Sequence, residues 1–378
     1  ALLDALYRRP EAETRGAASY LLGTNAHLAR ALRARGRRWL RRWGPNDGLV
    51  IAPAASPAVR AALAEHAFDR RAFSATALEK YAKCPYAFFL NTVHRLRARE
   101  VPEAIEEMDP LSRGSLTHEA QFATLVELRS RGWLPITQAR LALALDVLDR
   151  ELDAVAERFH DDLAPAIERV WQDGVSEIRA DLREWLHRTA HETAWVPWRF
   201  ELSFGLPAEQ RESRDAHSQH DPVTLANGLR LRGSIDLVEE TPAHDALRAT
   251  DHKTGKAHVA PGAVVFGGTA LQPLLYAMAL ESLFPDRRVD SGRLSYCTVR
   301  GDYEERTMPL DPGSRAALGE VLDTIRGAIE EGFLPAAPRP SECRWCDYAR
   351  VCGPHEEQRV AKKPPEKLRR LVTLRGMP

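Results

Sequence analysis

Apolar side chains in this 378-residue chain keep helical spacing through Leu141, Leu145, Leu148, Leu152 and Val155, then recur at every second residue in Trp198, Phe200, Leu202 and Phe204. A period of 3.6 buries one stripe of a helix, and a period of two buries one face of a strand. A chain that makes this switch and later returns to helix must pack helices against a sheet. Asn227-Gly228 then marks a hairpin between residues 223–226 and 229–238, because the tight turn joining such strands needs positive φ at both central positions. A third strand is expected over about 247–253, a helix over 271–283, strands over 294–299 and near 303–308, and a last helix over 315–331. Three antiparallel strands, a helix and a further strand make an α/β fold, a mixed sheet flanked by helices.

The sequence divides into three parts. Residues 1–72 read as a helical segment with Arg-rich faces and a Pro/Ala connector over 52–57. Residues 73–355 hold every pattern that carries chemistry, and 356–378 form a basic tail. Within the middle part, Ser74 or Thr76 can cap a helix, and Thr76 and Glu79 have the spacing of a capping box. Cys84 falls near that helix's end, and Pro85 suits the first turn of the next. Residues 114–131 read as a helix with His118, Phe122 and Leu125 on one side, and 138–191 as a long helical stretch.

Lys and Arg number 53, as do Asp and Glu, a balance that argues against a protein coating nucleic acid through its whole surface. Basic residues concentrate in two places, Arg30 to Arg42 and Arg359 to Arg370. Each is either a solvated face or tail, or a phosphate contact. No run of eighteen apolar residues occurs, and the N-terminus lacks a basic-then-apolar signal, so the cytoplasm is the expected compartment. The chain starts at Ala1 without Met, as a piece of a longer protein would. The glycine stretch nearest to a P-loop, 262–269, has Gly268 where the phosphate-binding Lys would sit, so the chain is not itself an ATP-driven motor.

Asp251 and Lys253, two apart on an expected strand, leave it on the same face. Pairing across the turn at 241–246 can bring Asp236 alongside, with Ile235 and Leu237 pointing the other way. Two neighbouring carboxylates repel, and a bound Mg²⁺ or Mn²⁺ removes that penalty. Phosphodiester hydrolysis needs such an ion, and a nearby ammonium can stabilise the charge that grows on the phosphate. A surface salt bridge at a strand end is the alternative for the Asp251–Lys253 pair alone.

The triplet has company. Gly114-Ser115-Leu116-Thr117-His118, Gly233-Ser234-Ile235-Asp236, Asp251-His252-Lys253-Thr254-Gly255 and Gln272-x-x-x-Tyr276 follow in that order. This set resembles the RecB-like PD-(D/E)XK nucleases, over about residues 73–354. The resemblance implies a restriction-endonuclease-like core with large helical insertions and a metal-dependent deoxyribonuclease activity. His118, Asp236, Asp251 and the backbone carbonyl of His252 would be the ligands of Mg²⁺ or Mn²⁺, and Lys253 the catalytic lysine. Gln272 and Tyr276, one helical turn apart, would touch DNA or orient the site, with a core-facing aromatic as the other reading of Tyr276. Leu237 and His252 depart from the Arg and Tyr common at those positions, without removing a ligand. Glu201 could support the site, and the sequence does not decide.

Cysteine spacing adds a second element. Cys343-x-x-Cys346 and Cys352 lie together, Cys84 lies far upstream, and Cys297 sits on an expected core strand as a plain buried thiol. A reducing compartment argues against disulfides, and zinc ribbons use two close pairs. One remote and three close cysteines resemble the iron–sulfur nucleases of this superfamily, including the nuclease domain of AddB-type helicase–nuclease subunits. That resemblance implies a [4Fe–4S] cluster on Cys84, Cys343, Cys346 and Cys352, with Zn²⁺ on the same thiolates as the alternative. It also implies the processing of DNA ends, single-stranded or end-containing, beside a helicase subunit in double-strand-break repair. A stand-alone single-strand DNA nuclease and a catalytically silent DNA-binding scaffold are the rival readings.

Overall fold

The computed structural model describes residues 11–49, 56–97, 106–207 and 215–378. Most of the expected Pro/Ala connector lies outside the described residues. Helices α1 (Glu11–Thr24), α2 (Ala26–Arg37) and α3 (Pro57–Ala64) lead to a short strand β1 (Ala72–Phe73) and helix α4 (Ala75–Lys83). Ser74 is the residue that caps α4, accepting from the Ala77 N–H at 3.2 Å. Glu79 takes no part in a capping box there and reaches another helix. Pro85 opens the short α5 (Pro85–Phe88), as its missing N–H and fixed φ favour.

Asp109 starts α6 (Pro110–Ser130), its carboxylate accepting from the N–H groups of Leu111 and Ser112 at 2.8 and 3.1 Å. The expected single stretch over 138–191 is in fact two helices, α7 (Leu141–Leu163) and α8 (Glu168–His191). Ala164 between them adopts φ 44°, and Pro165 follows, which bars a helical residue before it and donates no N–H. The break lets α8 fold back on α7 as an antiparallel pair.

Strands β2 (Val196–Phe204), β3 (Val223–Thr224), β4 (Arg230–Leu231), β5 (Gly233–Glu240) and β6 (Ala246–Lys253) follow, then α9 (Gln272–Leu283). The chain continues through β7 (Arg288–Tyr296), β8 (Glu305–Pro309) and α10 (Pro312–Glu330), and closes with α11 (Ala349–Cys352), α12 (Glu356–Val360) and α13 (Arg369–Arg375). The main sheet has the order β2-β5-β6-β7-β8, with β6 and β7 parallel and every other pair antiparallel. The hairpin between β3 and β4 forms, but its turn is closed by the Gly228 N–H on the Leu225 carbonyl at 2.8 Å, and of the Asn227-Gly228 pair only Gly228 takes positive φ, at 84°. That hairpin belongs to a separate small sheet with β1, and β5 starts after it.

Two apolar cores lie against this sheet. One gathers α4, α9, α10 and α13 with Leu202, Phe204, Ile235, Leu294 and Tyr296. The other gathers α6, α7 and α8 with Phe200, Leu237 and Cys297. Phe200 pairs with Leu237, and Leu202 with Ile235, yet the first pair serves one core and the second pair the other. The sheet therefore exchanges its apolar faces between those rungs. Glu201, at that point, has φ 48°, a backbone conformation that costs a non-glycine residue about 1–3 kcal/mol. Ile235 and Leu237 thus do not share one face, as strict alternation had implied for them.

Both ends of the described chain are tied down. Arg38 pairs with Glu356 at 2.7 Å, Trp43 Nε1 donates to the Pro364 carbonyl at 3.0 Å, and the buried Lys363 ammonium pairs with Asp47 at 2.9 Å. Leu371 and Leu374 are buried, and the N–H groups of Val265 and Phe266 donate to the Pro378 carbonyl. The tail is thus folded over this stretch, with Lys362, Lys367, Arg369 and Arg370 left exposed. Among the described residues, no helix is long and apolar enough to cross a membrane.

A buried ionic group joins three strands. Glu239 accepts from Arg248 at 2.8 and 2.9 Å and from Arg293 at 3.0 Å, while Arg293 also donates to Thr250 at 3.1 Å. Burial works to raise the Glu239 pKa, but Arg293 and Arg248 hold it down at about 2. An unfolded glutamate titrates near 4.3, so this contribution is complete above that pH and is lost as pH falls toward 2. Glu239→Gln, which leaves two buried guanidinium groups short of a counter-charge, is expected to destabilise the fold by about 3–5 kcal/mol. Urea melts at pH 7 and pH 3 check both statements: the gap between wild type and variant should narrow at the lower pH.

Candidate metal centre and active site

The exchange of sheet faces puts polar side chains between the two cores. Helix α6 lowers His118 onto that seam. Its Nδ1 lies 3.4 Å from Asp236 Oδ2 on β5 and 3.9 Å from Glu201 Oε1 on β2. One nitrogen and two carboxylate oxygens of these three residues lie within 4.8 Å of one another. Asp236 Oδ2 also accepts the backbone N–H of His252 at 2.7 Å, and Ser234 Oγ donates to Glu201 Oε2 at 2.8 Å. Burial alone would lower the His118 pKa, but Asp236 and Glu201 push it up to about 9. Burial likewise opposes ionisation of Asp236, and the His118 charge overrides it, holding the carboxyl at about 2. The pocket is built for positive charge among oxygen donors. A set of one imidazole and carboxylates suits Mg²⁺ or Mn²⁺, so the residues present fit such an ion.

Asp251 stands one rung beyond the Leu237–Thr250 pairing of β5 and β6, beside Asp236. Its carboxylate is turned to Lys253, whose Nζ is 2.5 Å away. Burial, together with Asp236, raises the Asp251 pKa against the pull of Lys253. Burial disfavours the Lys253 ammonium, but contact with Asp251 keeps it above its ordinary value and charged. Lys253 also donates to Gln272 Oε1 at 3.0 Å, and Gln272 Nε2 to the Tyr276 hydroxyl at 3.3 Å. Tyr276 is buried with its ring edge on Phe204, and its hydroxyl meets Gln272. A Cβ at Gly233 would stand 2.8 Å from the Tyr276 hydroxyl, which is why a glycine opens the Gly-x-x-Asp segment. The His252 ring points away from Asp251 and meets Trp185 edge-on at 5.8 Å; burial lowers its pKa to about 4, so it is neutral.

The structure thus brings together His118, Asp236, Asp251, Lys253, Gln272 and the backbone of His252. It also adds Glu201, which the sequence leaves undecided. The only signal there is an acid on the first strand, because the φ of 48° that aims it inward has no signature in residue type.

A second constellation lies at the chain's far end. Cys84, Cys343, Cys346 and Cys352 are all free thiols lining one cavity of about 890 Å³, with Lys80, Tyr86 and Trp345 in its wall. Burial, and after it the neighbouring Cys352 and Cys346, push the Cys84 thiol up to about 12; the same causes raise Cys343 to about 11. Thiols of this kind ionise when they share a cationic centre; among the described residues the one tightly gathered set of metal-binding groups is His118, Glu201 and Asp236, and the four sulfurs share the cavity without forming such a set. Cys297 lies apart, buried next to Lys253, whose carbonyl accepts its N–H at 3.0 Å.

Comparison with known proteins agrees with this geometry. The chain is 28% identical over 229 residues to an ATP-dependent helicase/deoxyribonuclease subunit of Caldanaerobacter subterraneus, covering 56% of this chain and 18% of that one. It is 27% identical over 283 residues to the protein of that name from Symbiobacterium thermophilum, covering 70% and 22%, and 26% identical over 227 residues to that of a Thermoanaerobacter species. The chain spans about a fifth of the length of these relatives. The profile of the PD-(D/E)XK nuclease superfamily matches residues 72–353. A match that long, on a mixed sheet with helices on both sides, makes this chain a member of the PD-(D/E)XK nuclease superfamily.

Proposed function

We propose that this chain is a divalent-metal-dependent deoxyribonuclease domain that hydrolyses phosphodiester bonds of DNA. The observation that carries the reading is the meeting of His118, Glu201 and Asp236 beside a lysine pinned by Asp251 and Gln272. His118, Asp236, Asp251 and the His252 carbonyl hold Mg²⁺ or Mn²⁺, and Glu201 joins them. An ion bound there supplies an activated water and neutralises charge on the phosphate. Lys253 brings a fixed positive charge to the scissile phosphate, where preorganised charge acts most strongly on the transition state. Gln272, steadied by Tyr276, keeps that ammonium from collapsing entirely onto Asp251.

The names of the relatives support a place beside a helicase. On this reading the domain acts on single-stranded or end-containing DNA during double-strand-break repair. Residues 1–72 are then the close of a preceding helicase-like domain and 73–355 the nuclease, with the basic segment 356–378 folded onto its core. Cysteines 84, 343, 346 and 352 hold a [4Fe–4S] cluster that fastens the start of the nuclease to its end.

Lys253→Ala and Asp251→Ala are each expected to cut cleavage of a labelled single-stranded oligonucleotide with Mg²⁺ or Mn²⁺ by about 10³-fold, the scale set by loss of one preorganised charge. Circular dichroism should stay unchanged. Equal cleavage by wild type and Lys253→Ala removes the lysine's assignment, and DNA binding without any cleavage by wild type turns the chain into a scaffold. Glu201→Gly relieves the positive φ, so its Tm should hold or rise, while calorimetry should show Mn²⁺ binding weakened about ten-fold or more. Iron and sulfide analysis of anaerobically purified protein should find both elements, where zinc in their place overturns the cluster. Cys352→Ser should give colourless, poorly folded protein.

A further inference from the structure

Helix α9 carries Gln272 in its first turn, yet its own flank gives it no side-chain cap. The first N–H groups of a helix need acceptors from elsewhere. They find one 192 and 193 residues earlier in the chain: Glu79 Oε1 accepts the N–H of Leu271 at 2.8 Å and that of Gln272 at 3.1 Å. A carboxylate at this end also meets the positive pole of the helix. Burial pushes the Glu79 pKa up to about 7, against those two hydrogen bonds and the nearby Lys253 charge. The side chain is thus held in place at a considerable desolvation cost.

Glu79 lies on α4, and α4 ends at Cys84. Five residues of helix separate the two, about 7.5 Å along the axis. The end of α4 is itself clamped: Arg375 donates to the carbonyls of Ala82 at 2.8 Å, Lys83 at 3.0 Å and Ala337 at 2.6 Å. A Cβ at Gly268, in the loop before α9, would come within 2.9 Å of the Ala82 Cβ. Helix α4 therefore runs without slack from the cysteine cavity to the start of α9.

We propose that Glu79 is a positioning residue of the active site: by capping α9 it sets Gln272, and through Gln272 the Lys253 ammonium, relative to the metal-binding acids. The proposal rests on the nuclease reading above. Glu79 is not one of the residues proposed to hold the ion; its effect travels along the α9 amides, Gln272 and Lys253.

Glu79→Ala and Glu79→Gln distinguish positioning from bulk stability. Gln keeps an oxygen that accepts both N–H groups, and Ala keeps none. Steady-state cleavage of a single-stranded oligonucleotide with Mn²⁺ should show kcat reduced about 10²-fold in Glu79→Ala, the scale of a misplacement near 1 Å. KM should stay within about two-fold, and Glu79→Gln should lie within about three-fold of wild type. Hydrogen–deuterium exchange should quicken about ten-fold or more in the peptide over 270–276 for Ala and not for Gln, matching the loss of a cap worth about 1–2 kcal/mol. Iron content should be equal in all three proteins.

A Glu79→Ala kcat within three-fold of wild type overturns the proposal. So does a Gln variant as impaired as Ala, or unchanged exchange over 270–276. If wild type itself fails to cleave, the nuclease reading falls and the exchange measurement alone still decides whether Glu79 holds α9.

Discussion

The Asp236 carboxylate touches three elements at once. It faces His118 from α6, accepts the His252 N–H from β6, and is itself carried by β5. Such a group, buried between two apolar cores, is stable only with hydrogen bonds and opposite charge around it. The rest of the seam follows from that requirement. His118 supplies charge, Lys253 balances Asp251, and Glu201 is drawn in by a backbone conformation that a strand residue otherwise avoids. Metal-binding capacity is thus the other face of an electrostatic problem that the fold creates by collecting acids in one place.

The sheet makes this possible by not being a simple two-faced layer. The pairs Phe200–Leu237 and Leu202–Ile235, two residues apart on β2 and β5, serve different cores, so the positions between them, Glu201 and Asp236, belong to neither. Polar side chains there cost no apolar contact. Gly292 contributes in another way: a Cβ on it would come within 2.1 Å of the Pro273 carbonyl oxygen. Helix α9 therefore rests directly on β7, and Gln272 reaches Lys253 from a backbone-to-backbone contact, with no intervening side-chain layer.

Much of this is legible in the sequence, because periodicity and spacing are local properties. The strand at 198–204 and the ordered segments around His118, Asp236, Asp251 and Gln272 lead to the elements and to the residues that meet, whereas the hairpin at Asn227-Gly228 belongs to a separate small sheet and Phe200 and Leu202 serve different cores. What stays hidden depends on long-range geometry. Glu79 has the local spacing of a capping box with Thr76, yet its carboxylate serves a helix that starts 193 residues later. Glu201 looks like an ordinary strand acid until its φ is known. Tyr276 keeps two readings because a helix position one turn from Gln272 faces the core or the solvent according to packing alone. The break before Pro165 differs from these, since its signal is local and proline marks it.

Strand β6 carries Asp251, His252 and Lys253, and it occupies the middle of the five-stranded order, flanked by β5 and β7. Edge strands and terminal helices open first when a domain loosens, and central strands open only with the whole. Asp251 and Lys253 therefore sit on a protected strand, while Glu201 sits on an edge one. Fraying at β2 or β8, or detachment of the arginine-rich helices, leaves the charge pattern on β6 undisturbed. Warming such a protein should therefore loosen Glu201, on edge strand β2, before it disturbs Asp251 and Lys253.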